Sequence, residues 1–291
     1  MFRKYCFHIS WLLPLLLYSQ DACAWGLFTH AYFGQILIWG IPITDRRFRS
    51  AIKQFPELLL AGSCLPDLSL FGKRAGTAAF DASHRWESAK HLLESAANDE
   101  ERAMALGYCS HLFVDIIAHN HFVPVHEKLW GEYHLATHAI CEWAMDGYIF
   151  PHLFHVPDKL LFRHETILSN YAAKSFGVEV GKANRSLRYL AVGVRALRMG
   201  RIPQLCYRGT KSLDPRLGKR FSYYMRETGA RLDQINRILE GEAPAWHAEL
   251  HCEDAERQTR ERIRSVAPRQ LMHRIPLPPN LFQPAPVLSA E

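Results

Sequence analysis

Long apolar runs, strand-like alternation and internal repeats are all missing from this 291-residue chain. Beyond the first 24 residues, no segment reaches the roughly 18 apolar residues that a membrane-spanning helix needs. Few segments alternate apolar and polar residues, which argues against half-buried β-strands. No unit of roughly 20–50 residues recurs, which excludes solenoid and propeller folds. Since 48% of the residues are hydrophobic and 22% are charged, the composition is that of an ordinary globular protein.

The apolar residues instead recur three and four positions apart, as at Leu187, Leu190 and Val194. On an α-helix this spacing places them on one face. We therefore predict an all-α fold, with loops at Gly and Pro residues such as Pro124 and Pro203. The predicted helices cover residues 30–40, 47–60, 84–97, 99–118, 132–150, 158–175, 182–199, 216–240 and 245–265.

The amino-terminal segment has the features of an export signal. Two basic residues at positions 3 and 4 precede an apolar stretch over residues 9–18, and residues 22–24 fit the small-x-small cleavage rule. The apolar stretch is too short to cross a bilayer of roughly 30 Å as a helix. We therefore predict a signal peptide over residues 1–24 and an exported protein, periplasmic or extracellular.

The rest of the chain is predicted to form one helical domain over residues 25–275. A tail over residues 276–291 follows, because its Pro-rich composition favours extended structure over helix. Five cysteines remain after removal of the signal peptide, and an odd number leaves at least one thiol unpaired.

Basic residues are concentrated between positions 181 and 240, where there are fourteen Lys or Arg and four acidic residues. Such an excess can attract anionic lipid or nucleic acid. Solvated helix faces explain most runs of this kind, so the excess does not identify a partner by itself.

Two groups of His, Asp and Glu residues lie four positions apart within residues 111–142. They are His111, Asp115 and His119 in the first group, and His134, His138 and Glu142 in the second. On a helix this spacing puts imidazole and carboxylate groups on one face, and Zn²⁺ binds both ligand types. Asp115 stands in an apolar stretch, where an ionised carboxylate is costly unless it is paired or bound to metal. We predict a multinuclear zinc site.

Residues from Trp25 to about Asp146 resemble the zinc-dependent phospholipase C family, which is similar to the P1/S1 nucleases and to the amino-terminal domain of glycosylphosphatidylinositol-specific phospholipase D. The resemblance implies a site with three zinc ions. It also implies that Trp25, as the mature amino terminus, binds zinc through its amino and carbonyl groups, and that His30 shares that ion. Asp67, which follows Leu-Pro as in the family, is the candidate general base.

Further along the chain, His84 resembles an isolated zinc histidine of the family, with His91 as an alternative on the same helical face. The resemblance then assigns the remaining ligands, with His111 on one zinc, Asp115 bridging two, and His138 and Glu142 completing the last ion.

The ligand that follows the bridging aspartate has two candidates. In bacterial phospholipases C and P1-type enzymes the next histidine comes six residues later, which would select His121. The phospholipase D-like branch uses a spacing of four, which selects His119. Because position i+4 shares a helical face with Asp115, we predict His119 as the ligand.

These residues predict an enzyme that hydrolyses phospholipids at a membrane surface, with Asp67 orienting or deprotonating a water molecule activated by zinc. A P1-like nuclease would use the same metals on single-stranded nucleic acid. The alternative from another class is a secreted protein that binds zinc or membranes without catalysis, and purely structural histidines are a third interpretation. No obligate protein partner is evident from the sequence.

Overall fold

The computed structural model describes residues 26–130, 134–246, 248, 263 and 277, with no side-chain description at positions 134 and 135. Within this part the fold contains helices and no β-strand, so the all-α prediction is confirmed. The helices are α1 (Leu27–Gly40), α2 (Arg46–Gln54), α3 (Pro56–Gly62), α4 (Ser69–Gly72), α5 (Trp86–Ser95), α6 (Asp99–Ile117), α7 (Val123–Trp130), α8 (His134–Ile149), α9 (Pro157–Arg163), α10 (Glu165–Phe176), α11 (Val180–Met199), α12 (Ile202–Leu213), α13 (Leu217–Gly229) and α14 (Ile235–Leu239). The predicted signal peptide, Trp25 and all of the predicted tail except Leu277 lie outside the described residues.

Three predicted helices are each divided in the structure, and one of them, the segment 216–240, forms α13 and α14 with a short 3₁₀ turn over Leu232–Gln234 between them. The segment 47–60 breaks before Pro56, because a proline ring disfavours the helical conformation at the preceding residue, and Phe55 has φ −129° and ψ 54°. The segment 158–175 breaks at His164, between α9 and α10. The predicted helix over 245–265 falls almost entirely outside the described residues.

Pro124 and Pro203 do not mark loops, so that prediction was wrong. Pro124 is the second residue of α7, and Pro203 is the second residue of α12. Proline is tolerated in the first turn of a helix, where its missing N–H has no intrahelical acceptor to lose. A loop assignment based on proline alone therefore missed both helices.

Helix α6 is the centre of the fold, and every residue from Ala103 to Ile117 is buried. The Asn98 side chain caps it by accepting the Glu101 N–H at 2.9 Å, and acidic residues in the first turn favour the positive end of the helix dipole. Helices α1, α2, α3 and α5 all pack against it. Because this part of α6 is covered on all sides, most of its residues are apolar.

Helices α3 and α6 cross at two glycines. A Cβ atom at Gly107 would collide with the Leu59 carbonyl oxygen, and one at Gly62 would collide with the Met104 backbone. Only glycine permits this approach of the two backbones. The crossing brings the segment after α3, which contains Ser63 and Asp67, against the face of α6 that carries His111.

A second layer is built around α8, which contacts α1, α7 and α12. None of the helices in the described part of the chain combines the length and apolar character needed to cross a membrane.

Candidate metal centre

Three groups of side chains converge in the interior between α1, α6, α8 and the loops before α4 and α5. Within each group the potential ligand atoms lie within 4.8 Å of one another. The groups are His30, His111 and Asp115; Asp67, His84 and His111; and His119, His138 and Glu142. The structure therefore brings together all of the residues that the resemblance assigns as ligands or base except Trp25, which lies outside the described residues, as does the side chain of His134.

Asp115 lies between the imidazole rings of the first two groups. Its Oδ1 is 3.2 Å from His30 Nε2, and its Oδ2 is 3.0 Å from His111 Nε2 and 3.8 Å from His84 Nε2. Asp67 Oδ1 approaches the same two rings, at 3.7 Å from His111 Nε2 and 3.6 Å from His84 Nε2. One carboxylate thus faces two potential cation positions, as a bridging ligand must.

The converging atoms are buried and lack hydrogen-bond partners among the described residues. This holds for Nε2 of His30, His84 and His111, for Asp67 Oδ1 and for both Asp115 oxygens. Buried polar atoms without partners are costly, and in native proteins they are paired or coordinate metals. Imidazole nitrogens and carboxylate oxygens are also the donors that zinc prefers. The residues present therefore fit a zinc centre.

His111 is oriented by the segment that follows α3. Its Nδ1 donates a hydrogen bond to the Ser63 carbonyl oxygen at 2.8 Å, which leaves the Nε2 lone pair directed at the carboxylates. The ring also stacks on that of His30, with centroids 3.6 Å apart. A hydrogen bond to the far nitrogen fixes the tautomer and orientation of a metal-binding histidine.

The carboxylates of the centre have pKa values displaced in opposite directions. Burial alone would raise the pKa of Asp115, but the rings of His111 and His30 hold it well below its usual value. Burial, together with the charges of Asp115 and Asp67, raises the pKa of Glu142 well above its usual value. Carboxylates crowded in this way repel one another, and a divalent cation would offset that repulsion.

The third group depends on a local change of helix type. Helix α6 ends at Ile117 and is followed by a π-helical turn over Ala118–Phe122. This turn places His119 beside His138, with ring centroids 5.7 Å apart, and His138 Nε2 lies 2.5 Å from Glu142 Oε1. Such π-bulges frequently occur at functional sites.

The π-helical turn separates the two histidines that compete for the third group. His121, the candidate at the six-residue spacing, does not join the group and instead lies with Nδ1 2.9 Å from the Tyr224 hydroxyl. His119 is the histidine that the structure brings to His138 and Glu142.

His84 is held by a chain of buried hydrogen bonds. The Tyr108 hydroxyl, from α6, donates to the Ser83 carbonyl oxygen, and the Ser83 hydroxyl donates to the Pro66 carbonyl oxygen at 2.6 Å. Ser83 therefore joins the loop that carries His84 to the loop that carries Asp67. His91, the alternative ligand, is exposed on α5 and belongs to none of the three groups.

Asp146 is a structural partner of the site that the sequence analysis missed. Its carboxylate accepts hydrogen bonds from the Thr29 N–H at 2.9 Å and the Thr29 hydroxyl at 2.7 Å, and so caps the start of α1. A Cβ atom at Gly26 would collide with it. Asp146 follows Glu142 by four residues on α8, so the spacing that identified the other residues of the site could also have identified Asp146. Asp146 thereby positions the turn that carries His30.

We expect Asp146→Ala to destabilise the protein by about 1–3 kcal/mol, because two buried donors of Thr29 lose their acceptor. Asp146→Asn keeps an acceptor and should cost less. Burial raises the pKa of Asp146 from 3.8 to about 7, although the Thr29 hydrogen bonds oppose this. The folded state therefore holds a proton that the unfolded chain releases, and stability falls as the pH rises from about 4 to about 7.

The asparagine side chain does not titrate in this pH range. The free energy of unfolding, measured with urea at several pH values for both proteins, therefore provides the check. The stability of Asp146→Asn relative to the wild type should rise with pH by up to about 1.4 kcal/mol per unit, then level off. A constant difference would contradict the raised pKa of Asp146 in the folded state.

Four cysteines of the described part, Cys64, Cys109, Cys141 and Cys206, are free thiols. None belongs to the three ligand groups, and Cys252 lies outside the described residues.

A sequence model of the family described as zinc dependent phospholipase C matches residues 29–185. This range contains every residue of the three ligand groups. Comparisons with curated proteins and with solved structures gave no match. Since the matched range covers more than half of the chain and includes all three ligand groups, the chain belongs to the zinc-dependent phospholipase C family.

Proposed function

We propose that the protein is a secreted phosphodiesterase that hydrolyses phospholipids in the manner of a phospholipase C, by attack of water on phosphorus. The observation that carries this proposal is the set of buried, unpartnered ligand atoms around Asp115 in a member of this family. The products would be diacylglycerol and the phosphorylated head group.

We assign the ligands of three zinc ions from the three groups. Asp67, His84 and His111 would hold the first, with Asp115 bridging it to a second that is bound by His30 and the Trp25 terminus. The third ion would be held by His119, His138 and Glu142. All of these side chains within the described part of the chain lie in the three convergent groups.

When bound, zinc would supply Lewis acidity to the phosphate oxygens and lower the pKa of a water molecule towards about 7. Asp67 would orient or deprotonate the attacking water, since its Oδ1 faces the rings of His84 and His111. Ser63 and Ser83 would hold the ligands in place through their backbone and side-chain hydrogen bonds. The apolar surroundings of α6 would exclude bulk water and strengthen these electrostatic interactions.

The decisive experiment compares substrates. Purified protein, loaded with zinc, is assayed on phosphatidylcholine vesicles and on single-stranded DNA. We expect release of phosphocholine, loss of activity on chelation and its return with added zinc. Activity on DNA alone would identify a nuclease, and zinc binding without either activity would identify a non-catalytic protein.

Export and processing are part of the proposal. Removal of residues 1–24 would make Trp25 the amino terminus of a catalytic domain over 25–275, with residues 276–291 as a tail. Amino-terminal sequencing of protein recovered outside the cytoplasm tests this directly, because an intact residue 24–25 bond would leave the second ion without its terminal ligands.

Paired variants test the choice between the two histidines after Asp115. His119→Ala should lose one zinc ion, because it removes a member of the third group. His121→Ala should keep its full zinc content and lose about 1 kcal/mol of stability with the hydrogen bond to Tyr224. Elemental analysis distinguishes them, and the reverse pattern would move the ligand assignment to His121.

A further inference from the structure

The outer surface of α12 and its flanks carries an unusual set of cations. Five exposed basic side chains in this segment form no ion pair with a carboxylate of the described residues: Arg201, Arg208, Lys211, Arg216 and Lys219. The one acidic residue between positions 200 and 219 is Asp214, which is engaged by Arg220. Among the described residues, the net positive charge on this surface is therefore not compensated locally.

Several basic residues elsewhere in the segment 181–240 form ion pairs with carboxylates. Arg198 forms a bidentate pair with Asp158 at 2.8 Å, and Arg231 bonds Glu227 at 3.1 Å. Arg188 lies 3.6 Å from Glu165. Much of the positive charge on the neighbouring helices is thus neutralised by carboxylates, although Lys182, Arg185 and Arg195 on α11 form no ion pair with a described carboxylate, whereas the cations around α12 are exposed and adjacent in the chain.

Large apolar side chains stand among the unpaired cations. Met199 is 67% exposed, Leu205 56% and Leu213 87%. Single exposed apolar residues are ordinary, but three within fifteen positions beside a cationic helix form an amphipathic surface. The same combination is found where helices lie in a membrane interface, with cations at the head groups and apolar tips among the acyl chains.

Helix α12 runs antiparallel to the ligand-bearing helix α8. Gly147, near the end of α8, packs against the Pro203 backbone at the start of α12. At the other end, Trp130 Nε1, shortly before α8, donates to Asp214 Oδ2 at 3.3 Å, just after α12. The carboxyl end of α12, with Lys211 and Leu213, therefore lies on the side of the molecule where α8 begins, at His134, four residues before His138.

We propose that the outer face of α12, from Met199 to Lys219, docks the protein on bilayers that contain anionic lipid. The inference rests on the proposed phospholipase function, which requires the protein to reach lipid packed in a surface. Anionic head groups match the unpaired cations, and each Lys or Arg near such a surface strengthens binding about fivefold. A nucleic-acid surface would instead offer exposed aromatic rings for base stacking, whereas the exposed apolar tips here are aliphatic.

The test uses zinc-loaded full-length protein and two sets of variants on α12. The charge set is Arg201→Gln, Arg208→Gln and Lys211→Gln; the apolar set is Leu205→Ser and Leu213→Ser. Cosedimentation with vesicles that contain equal amounts of phosphatidylcholine and phosphatidylserine measures docking. Hydrolysis of a water-soluble phosphodiester measures the activity of the metal centre without a lipid surface. All five positions are exposed, so thermal unfolding should not change.

Control variants carry comparable changes at exposed positions elsewhere. Arg46→Gln, Lys53→Gln and Lys90→Gln remove equal charge, and Trp39→Ser removes an apolar side chain that is 59% exposed. We expect the charge set to weaken vesicle binding by about 100-fold, following the fivefold contribution of each cation, and the controls to weaken it much less. Added salt should also weaken the binding of the wild-type protein to these vesicles.

The outcomes separate this inference from the proposed function. Loss of vesicle binding by the α12 variants, with hydrolysis of the soluble diester intact, supports docking by α12. Unchanged vesicle binding with intact phospholipid hydrolysis overturns the docking surface and leaves the function standing. Loss of single-stranded DNA binding instead of vesicle binding overturns it in favour of a nucleic-acid surface. Vesicle binding that depends on α12 without any hydrolysis supports docking and overturns the function.

Discussion

Replacement of Asp115 by Ala is expected to remove zinc from two of the three proposed positions and to abolish phospholipid hydrolysis. Its two oxygens face different partners, with His30 on one side and His111 on the other, at 3.2 and 3.0 Å. No other carboxylate of the described ligand groups approaches both rings. The loss should exceed the roughly 10–100-fold effect of removing an outer-shell partner of a metal site.

Asp115→Asn distinguishes the loss of the negative charge from the loss of side-chain volume, because the amide fills the same space but is a poor bridge between two cations. Asp81→Ala is the matched control, since Asp81 is exposed on a loop outside the three groups. Elemental analysis and vesicle hydrolysis provide the measurements. A fully zinc-loaded Asp115→Ala protein would remove the basis of the ligand assignment.

Asp67→Asn is expected to lower the rate of hydrolysis by about 10²–10⁴-fold, the usual contribution of a general base. The amide retains an oxygen at Oδ1, the atom that faces His84 and His111, so zinc content should be largely preserved. It cannot accept a proton from water. Asp67→Ala, which lacks that oxygen, should lose zinc as well as activity.

The two Asp67 variants therefore separate a catalytic role from a purely metal-binding one. Rates are measured on vesicles at saturating zinc, beside the zinc content of each protein. If Asp67→Asn hydrolyses lipid at the wild-type rate, the general base must be another group, and the role of Asp67 is limited to binding metal.

Much of the centre was predictable because helical spacing depends on backbone geometry alone. Residues four apart share a face on any helix, so the pairs His111 with Asp115 and His138 with Glu142 follow once the segments are helical. Apolar periodicity supplied that helical assignment, and the all-α prediction is confirmed. The predicted family is confirmed as well, by the match over residues 29–185.

Local spacing could not decide between neighbouring histidines. His119 and His121 both follow Asp115 closely, and the π-helical turn over Ala118–Phe122 determines which of them reaches His138. His84 and His91 share a face of the predicted helix. In the structure helix α5 begins only at Trp86, so His84 lies in the preceding loop and reaches Asp67.

The sequence by itself determined the helical fold class, the pairing of a histidine with a carboxylate on α6 and on α8, and the family, because each depends on order and spacing along one segment. The tertiary structure decided which distant groups meet. His30 and Asp67 reach Asp115 and His111 because helices pack closely at glycines and Asp146 caps α1. Such contacts join residues far apart in the chain, and their closeness is set by the packing of whole helices.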